Sequence, residues 1–147
     1  MSLDRSLIVS LILLVQILLS ACSGDTLVAD NARIRGLPPG QTVTGAFLQL
    51  RNLTASEQVL VGVTAPFADR AEIHSHSHSD GMMRMRQVER VAIAAGQTQA
   101  FEPGGYHIML FGLSRSLRDG EQLPLILTFA SGEQLQVQAQ VQSVLQE

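Results

Sequence analysis

The sequence contains no lysine and no tryptophan, and it has one cysteine and one tyrosine among 147 residues. All ten of its basic residues are arginines, and the formal net charge is −3. Nucleic-acid-binding domains carry a basic patch, and those that bind single strands stack bases on aromatic side chains. The composition therefore argues against nucleic acid as a partner.

A single cysteine excludes an internal disulfide and any zinc or iron–sulfur site built from several thiolates. Hydrophobic residues make up 46% of the chain and charged residues 16%, which is typical of a globular protein and not of a disordered one. The length predicts one domain. The chemistry of the chain must then come largely from its four histidines and five methionines.

The first segment predicts a targeting signal. Residues 7–19 form an apolar run of 13 residues that only Ser10 and Gln16 interrupt. Such a run is too short to span a bilayer and is typical of a signal-peptide core. It leads into Leu19-Ser20-Ala21-Cys22, which resembles the bacterial lipoprotein signal, in which the cysteine is acylated and becomes the new N-terminus. An ordinary secretory signal that carries a cysteine is the alternative.

These features predict a lipoprotein signal peptide over residues 1–21, a lipidated N-terminus and short tether over residues 22–28, and a β domain over residues 29–147. Ser23 after the cysteine resembles the lipoproteins that are directed to the outer membrane. We therefore expect a periplasmic, membrane-anchored protein, which would be soluble in the periplasm if Cys22 is not acylated.

The remaining chain predicts β-strands, because apolar residues recur with a period of two and not of 3.6. Gly- and Pro-containing turn signals separate the strands at short intervals, which favours an all-β antiparallel sandwich or Greek-key barrel. The predicted inward-facing sets are Ala46, Leu48 and Leu50; Val59, Val61 and Val63; Leu123, Leu125, Leu127 and Phe129; and Leu135, Val137, Ala139 and Val141.

Two histidines and two methionines follow the spacing H-x10-M-x21-H-x-M, at His74, Met85, His107 and Met109. Residues two apart on a strand project from the same face, about 6–7 Å apart, so His107 and Met109 are placed to reach one ion. Imidazole and thioether form a soft to borderline ligand set that suits Cu(I) better than Zn²⁺, Mg²⁺ or Ca²⁺. Each methionine taken alone is more often core filler.

Other side chains near this pattern have two interpretations. His76 and His78 alternate with serine over residues 75–79, where we predict a hairpin loop that is either simply solvated or, with Met83, an accessory metal site for Cu(II). Glu72 has the parity of His74, so it is either a solvated strand residue or the partner that orients that imidazole.

The four-residue spacing resembles the signature of the PCuAC family of periplasmic copper chaperones, and the flanking segments Glu72-Ile73-His74 and Gly104-Gly105-Tyr106-His107 are similar as well. The resemblance covers roughly residues 29–141. It implies a cupredoxin-like β-barrel that binds Cu(I) through the four residues. It further implies transfer of the ion to a partner such as the CuA centre of cytochrome c oxidase.

Several other functions remain to be weighed. A blue-copper electron carrier needs a cysteine ligand, and the only cysteine lies at the predicted lipidation site. Four histidines are too few for a multicopper enzyme, so we expect no catalytic turnover. A copper-buffering or resistance lipoprotein, and a structural β-sandwich lipoprotein without metal, stay open. We expect a monomer.

Overall fold

The computed structural model of the protein describes residues 26–79 and 81–143, with residues 78 and 79 described by their backbone alone. The predicted signal peptide and Cys22 lie outside the described residues. Within the described ranges every regular element is a strand, and no helix there is long and apolar enough to cross a membrane. The strands are β1 (Leu27–Arg35), β2 (Val43–Asn52), β3 (Gln58–Thr64), β4 (Ala68–Ser79), β5 (Met82–Gln87), β6 (Val91–Ile93), β7 (Thr98–Phe101), β8 (Tyr106–Leu113), β9 (Gln122–Phe129) and β10 (Gln134–Gln142).

The ten strands form one sheet in the order β5-β4-β8-β7-β2-β1-β10-β9-β3-β6, with β8 also paired to β2. Neighbouring strands are antiparallel except for the pairs β1–β10 and β7–β8. The sheet folds over so that β3 packs against β4, and its buried side chains form one hydrophobic cluster. The predicted all-β architecture is confirmed.

Alternation along β9 and β10 builds the centre of this core. Leu125 and Leu127 are fully buried, and Val137, Ala139 and Val141 are buried from the paired strand while the glutamines between them face outward. Burying a leucine side chain stabilises the fold by about 1.5–3 kcal/mol. These strands were predicted correctly because their apolar residues keep an uninterrupted period of two.

The predicted face of β3 is wrong in part. Leu60 and Val63 enter the core, whereas Val59 and Val61 are only half-buried. The register between β3 and β9 shifts between Leu60 and Gly62. Such an irregularity inserts an extra residue and reverses which side chains face inward.

The predicted hairpin loop over residues 75–79 is also wrong, because β4 continues to Ser79. Ser75 and Ser77 pair with Arg86 and Arg84 of β5, so backbone hydrogen bonds extend the ribbon beyond the core. Both faces of this segment are polar, and a hydrophobic alternation that would reveal a strand is therefore missing. Gly81, with a φ of 74°, lies in the turn between β4 and β5.

The folded region begins earlier than predicted. Leu27 is buried and pairs with Asn52, so β1 includes two residues that the sequence assigned to the tether. Leu27 and Val28 therefore belong to the folded β domain.

Candidate metal site

The predicted ligands project from the outer face of β4 and β8. Ile73 of β4 and Ile108 of β8 point into the core, so the residues on either side of each face the opposite way. His74 lies directly opposite His107, and Glu72 lies opposite Met109. Directly opposed residues in an antiparallel pair have Cα atoms about 4.5–5.5 Å apart.

The third strand of this ribbon brings in Met85. Its partner across β4 and β5 is His76, whereas His74 lies opposite Gln87. Met85 is 49% exposed, so its thioether is accessible at the edge of the sheet. Met83 is 65% exposed and pairs in backbone register with His78, one step further toward the turn.

An open cleft of about 510 Å³ lies beside these strands. Four predicted residues line it, namely His76, Met85, His107 and Met109. Its other walls are mainly apolar and come from β2, from the segment after β1 and from the loop before β8. They include Leu37, Val43, Phe47 and Pro103.

His107 is the most buried of the candidate ligands, at 4% exposure. Its Nδ1 lies 3.1 Å from the carbonyl oxygen of Gly105, to which it donates a hydrogen bond. That bond leaves the lone pair of Nε2 for a metal ion. Burial lowers the pKa of His107 despite the bond to Gly105, and the nearby His76 and His74 act in the same direction. The imidazole is therefore neutral at neutral pH, as a ligand requires.

The imidazole of His74 is held by the carboxylate of Glu72. Its Nε2 lies 2.8 Å from Oε2 of Glu72, whose Oε1 lies 2.6 Å from Nε of Arg70. The hydrogen bond from His74 and the charge of Arg70 lower the pKa of Glu72 against its partial burial. The guanidinium of Arg70 in turn lies over the ring of Phe111, 4.6 Å from its centroid. Glu72 thus makes the contact to His74 that its position in the sequence suggested.

The Nδ1 atom of His74 is buried and lacks a hydrogen-bond partner among the described residues. A buried polar atom without a partner is costly, so such an atom in a folded protein needs an explanation. With Nε2 committed to Glu72, Nδ1 is the atom of His74 that is left for a metal ion.

His76 contacts the same group of rings. It stacks on His107 with centroids 4.8 Å apart and an angle of 23° between the planes, while the ring of His74 is 5.9 Å from that of His107. Its Nδ1 is likewise buried and unpartnered in the described part of the chain. His74, in contrast, does not line the cleft.

Phe47 is a site residue that the sequence did not reveal. It lies on the side of β2 opposite the predicted inward-facing Ala46 and Leu48, yet it is 4% exposed. Its ring forms a wall of the cleft under the guanidinium groups of Arg33 and Arg35, at 5.1 and 5.5 Å from the centroid. Gly45 permits this placement, since a Cβ there would lie 3.2 Å from the ring. A large aromatic residue on the polar side of a strand was the available signal.

Ligands with oxygen and nitrogen donors do not by themselves form a metal site among the described residues. The described residues contain no group of three His, Cys, Asp or Glu side chains arranged to hold a metal ion. Imidazoles and thioethers do meet at the cleft, and that donor set suits a soft ion such as Cu(I).

Comparison with known proteins gives a consistent set of relatives. The LpqE-like lipoprotein family matches residues 27–141. A lipoprotein of Leifsonia xyli subsp. xyli, Lxx21020, is 32% identical over 94 residues, which are 63% of this chain and 57% of that protein. This chain therefore spans little more than half the length of that curated relative.

Solved structures with the same fold include proteins that were determined with copper. The Cu(I) form of DR1885 from Deinococcus radiodurans is 31% identical, with a TM-score of 0.65 over 86% of this chain and 84% of that one. The copper-bound PCuAC domain of PmoF2 is 16% identical and has a TM-score of 0.66 over 83% of this chain and 96% of that domain. The second likeness, at its low identity, establishes a shared fold alone.

Proposed function

This chain belongs to the LpqE-like family of PCuAC-type proteins with a cupredoxin-like β fold, and from that we propose that it is an extracytoplasmic chaperone for Cu(I). The observation that carries the proposal is the cleft that His107, Met109 and Met85 line together, with His74 directly opposite His107 in register and its buried Nδ1 unpartnered among the described residues. We propose that these four residues bind one Cu(I) ion as cargo, through two imidazoles and two thioethers.

The uneven exposure of the ligands supports release of the ion to a partner. His107 lies under the walls of the cleft, whereas the Met85 side chain is half exposed at the sheet edge. An acceptor protein can therefore approach the ion from the Met85 side and replace one ligand at a time. In this proposal the chain is a carrier, and it performs no catalytic turnover.

The CuA centre of a cytochrome c oxidase is the acceptor that the family resemblance implies. We expect the Cu(I)-loaded protein to transfer its ion to an isolated apo CuA domain. In the reverse experiment at equal concentrations, we expect the apo protein to remove no copper from the loaded CuA domain. Absorbance of the CuA centre after oxidation measures the transfer. A loaded protein that retains its copper in the presence of the acceptor would instead indicate buffering.

The matching family is a lipoprotein family, and the Leifsonia relative is a lipoprotein. Both likenesses support anchoring of this chain to a membrane outside the cytoplasm. We propose acylation at Cys22 and a periplasmic location at the outer membrane. A single acyl chain binds a bilayer only marginally, so stable anchoring requires two or more chains.

We expect Cys22→Ala to release the protein from the membrane fraction and to remove covalently bound lipid, because the acceptor thiol is lost. Membrane fractionation combined with mass spectrometry of the N-terminal peptide checks this. Wild-type protein that carries no lipid would contradict the proposed anchor, and Cu(I) binding by the Cys22→Ala variant should be unchanged.

A further inference from the structure

We infer that His76 is a ligand of the ion in the cleft, a side chain that the H-x10-M-x21-H-x-M spacing does not include. The inference rests on the proposed function and concerns the composition of the same site. It replaces the idea of a separate accessory site on a flexible loop, because residues 75–79 belong to β4.

The strand register places His76 at the site. It is the cross-strand partner of Met85, and both side chains line the cleft, which His74 does not. Two residues that are directly opposed on an antiparallel ribbon hold their side chains close enough to share an ion. On geometry alone, His76 is therefore better placed than His74 to act together with Met85.

The hydrogen bonding of the three imidazoles points the same way. His74 and His107 each have one ring nitrogen committed, to Glu72 and to the carbonyl of Gly105. His76 has no such bond from its buried Nδ1, and stacking on His107 is the ring contact that holds it in place. A buried ring nitrogen without a hydrogen-bond partner needs an explanation, and binding of a metal ion at Nδ1 of His76 supplies one.

Binding requires His76 to move. The lone pairs of an imidazole lie in the plane of its ring, so two rings stacked at 4.8 Å do not aim at one point between them. A change of side-chain rotamer turns the ring of His76 away from His107 as the ion enters. Such rotamer changes are fast compared with the transfer of copper between two proteins. His76 and Met85 would then form the outer edge of the site, while His107 and Met109 form its inner part.

The direct test uses the diamagnetism of Cu(I), which permits nitrogen NMR of each histidine in the full-length ¹⁵N-labelled protein under reducing conditions. We expect one equivalent of Cu(I) to shift the ring nitrogens of His76 together with those of His107. Ring nitrogens of His76 that stay unchanged while those of His107 and His74 shift would overturn the inference and leave the proposed function intact. If no histidine shifts, the proposed function itself fails.

A pair of substitutions at the same position gives a second readout. His76→Phe keeps a ring that can stack on His107 but removes the donor atoms, whereas His76→Met supplies a soft donor again. In competition with a Cu(I) chelator, we expect at least a 10-fold loss of affinity for His76→Phe and recovery to within about threefold for His76→Met, because outer partners alone change metal affinity by about 10–100-fold. Equal affinities of both variants and the wild type would refute the role of His76. Ser77→Ala, on the opposite face of β4, is the matched control.

Discussion

Replacing Met85 or Met109 by leucine should weaken Cu(I) binding by more than about 100-fold, since even partners outside the ligand set change metal affinity by about 10–100-fold. Leucine preserves the volume and the apolar character of methionine but has no sulfur lone pair. Both methionines line the cleft with His107, so the substitution removes a donor and leaves its walls in place. Cu(I) affinity measured against a chelator, together with X-ray absorption of the bound ion, checks the prediction.

The fold should survive these substitutions. A Met-to-Leu exchange costs less than about 1.5 kcal/mol of unfolding free energy even in a core, and the Met85 side chain is half exposed. Met82→Leu is the matched control, because Met82 lies on the same strand and does not line the cleft. Unchanged affinity in the Met85 and Met109 variants, or ligation of the wild-type ion by oxygen and nitrogen alone, would contradict the proposed site.

A second large effect is expected at Asn52, far from the cleft. Its side chain is fully buried, and its Nδ2 group donates to the carbonyl oxygens of Ser56 and Ile93 at 2.8 and 2.9 Å. Its Oδ1 accepts hydrogen bonds from the backbone and hydroxyl groups of Thr54. This one side chain thus connects the end of β2 to the loop before β3 and to β6.

We expect Asn52→Asp to destabilise the domain by about 3–5 kcal/mol, because it places a charged acceptor against carbonyl oxygens that have lost their donor. At about 3–5 °C per kcal/mol for a domain of this size, the Tm should fall by roughly 10–20 °C. Calorimetry or thermal denaturation followed by circular dichroism measures this. The loss should be smaller at pH 4 than at pH 7, because protonation of the introduced carboxyl removes its charge and restores one donor.

Asn31→Asp provides the comparison for that measurement. Asn31 is exposed and has a φ of 51°, a conformation that asparagine and aspartate both tolerate. Its Tm should change by no more than about 2 °C, in line with the small effects of surface substitutions. An equal loss in the two variants would mean that the hydrogen bonds of Asn52 contribute little.

The elements that could be read from the sequence are those whose pattern is local. The leucines of β9 and the alternation of β10 show their buried face directly. The His107–Met109 pair needs only the pleat of one strand to place both side chains on one face. The local pattern predicted the wrong buried face for β3, because the register of its pairing with β9 shifts between Leu60 and Gly62. It also missed the strand at residues 75–79, where pairing with β5 stabilises a strand without apolar residues.

The sequence by itself thus determined the strand class and showed which imidazole and thioether side chains are available to the proposed site, because these depend on residue type and on local spacing. Only the tertiary structure decided which imidazoles face the cleft, namely those of His76 and His107. The turn at Gly81 sets the register that puts Met85 opposite His76, and Glu72 with Arg70 holds His74 to one side. Phe47 completes the cleft from a distant strand. Such contacts follow from hydrogen-bond register and packing between segments far apart in the chain, which no local pattern encodes.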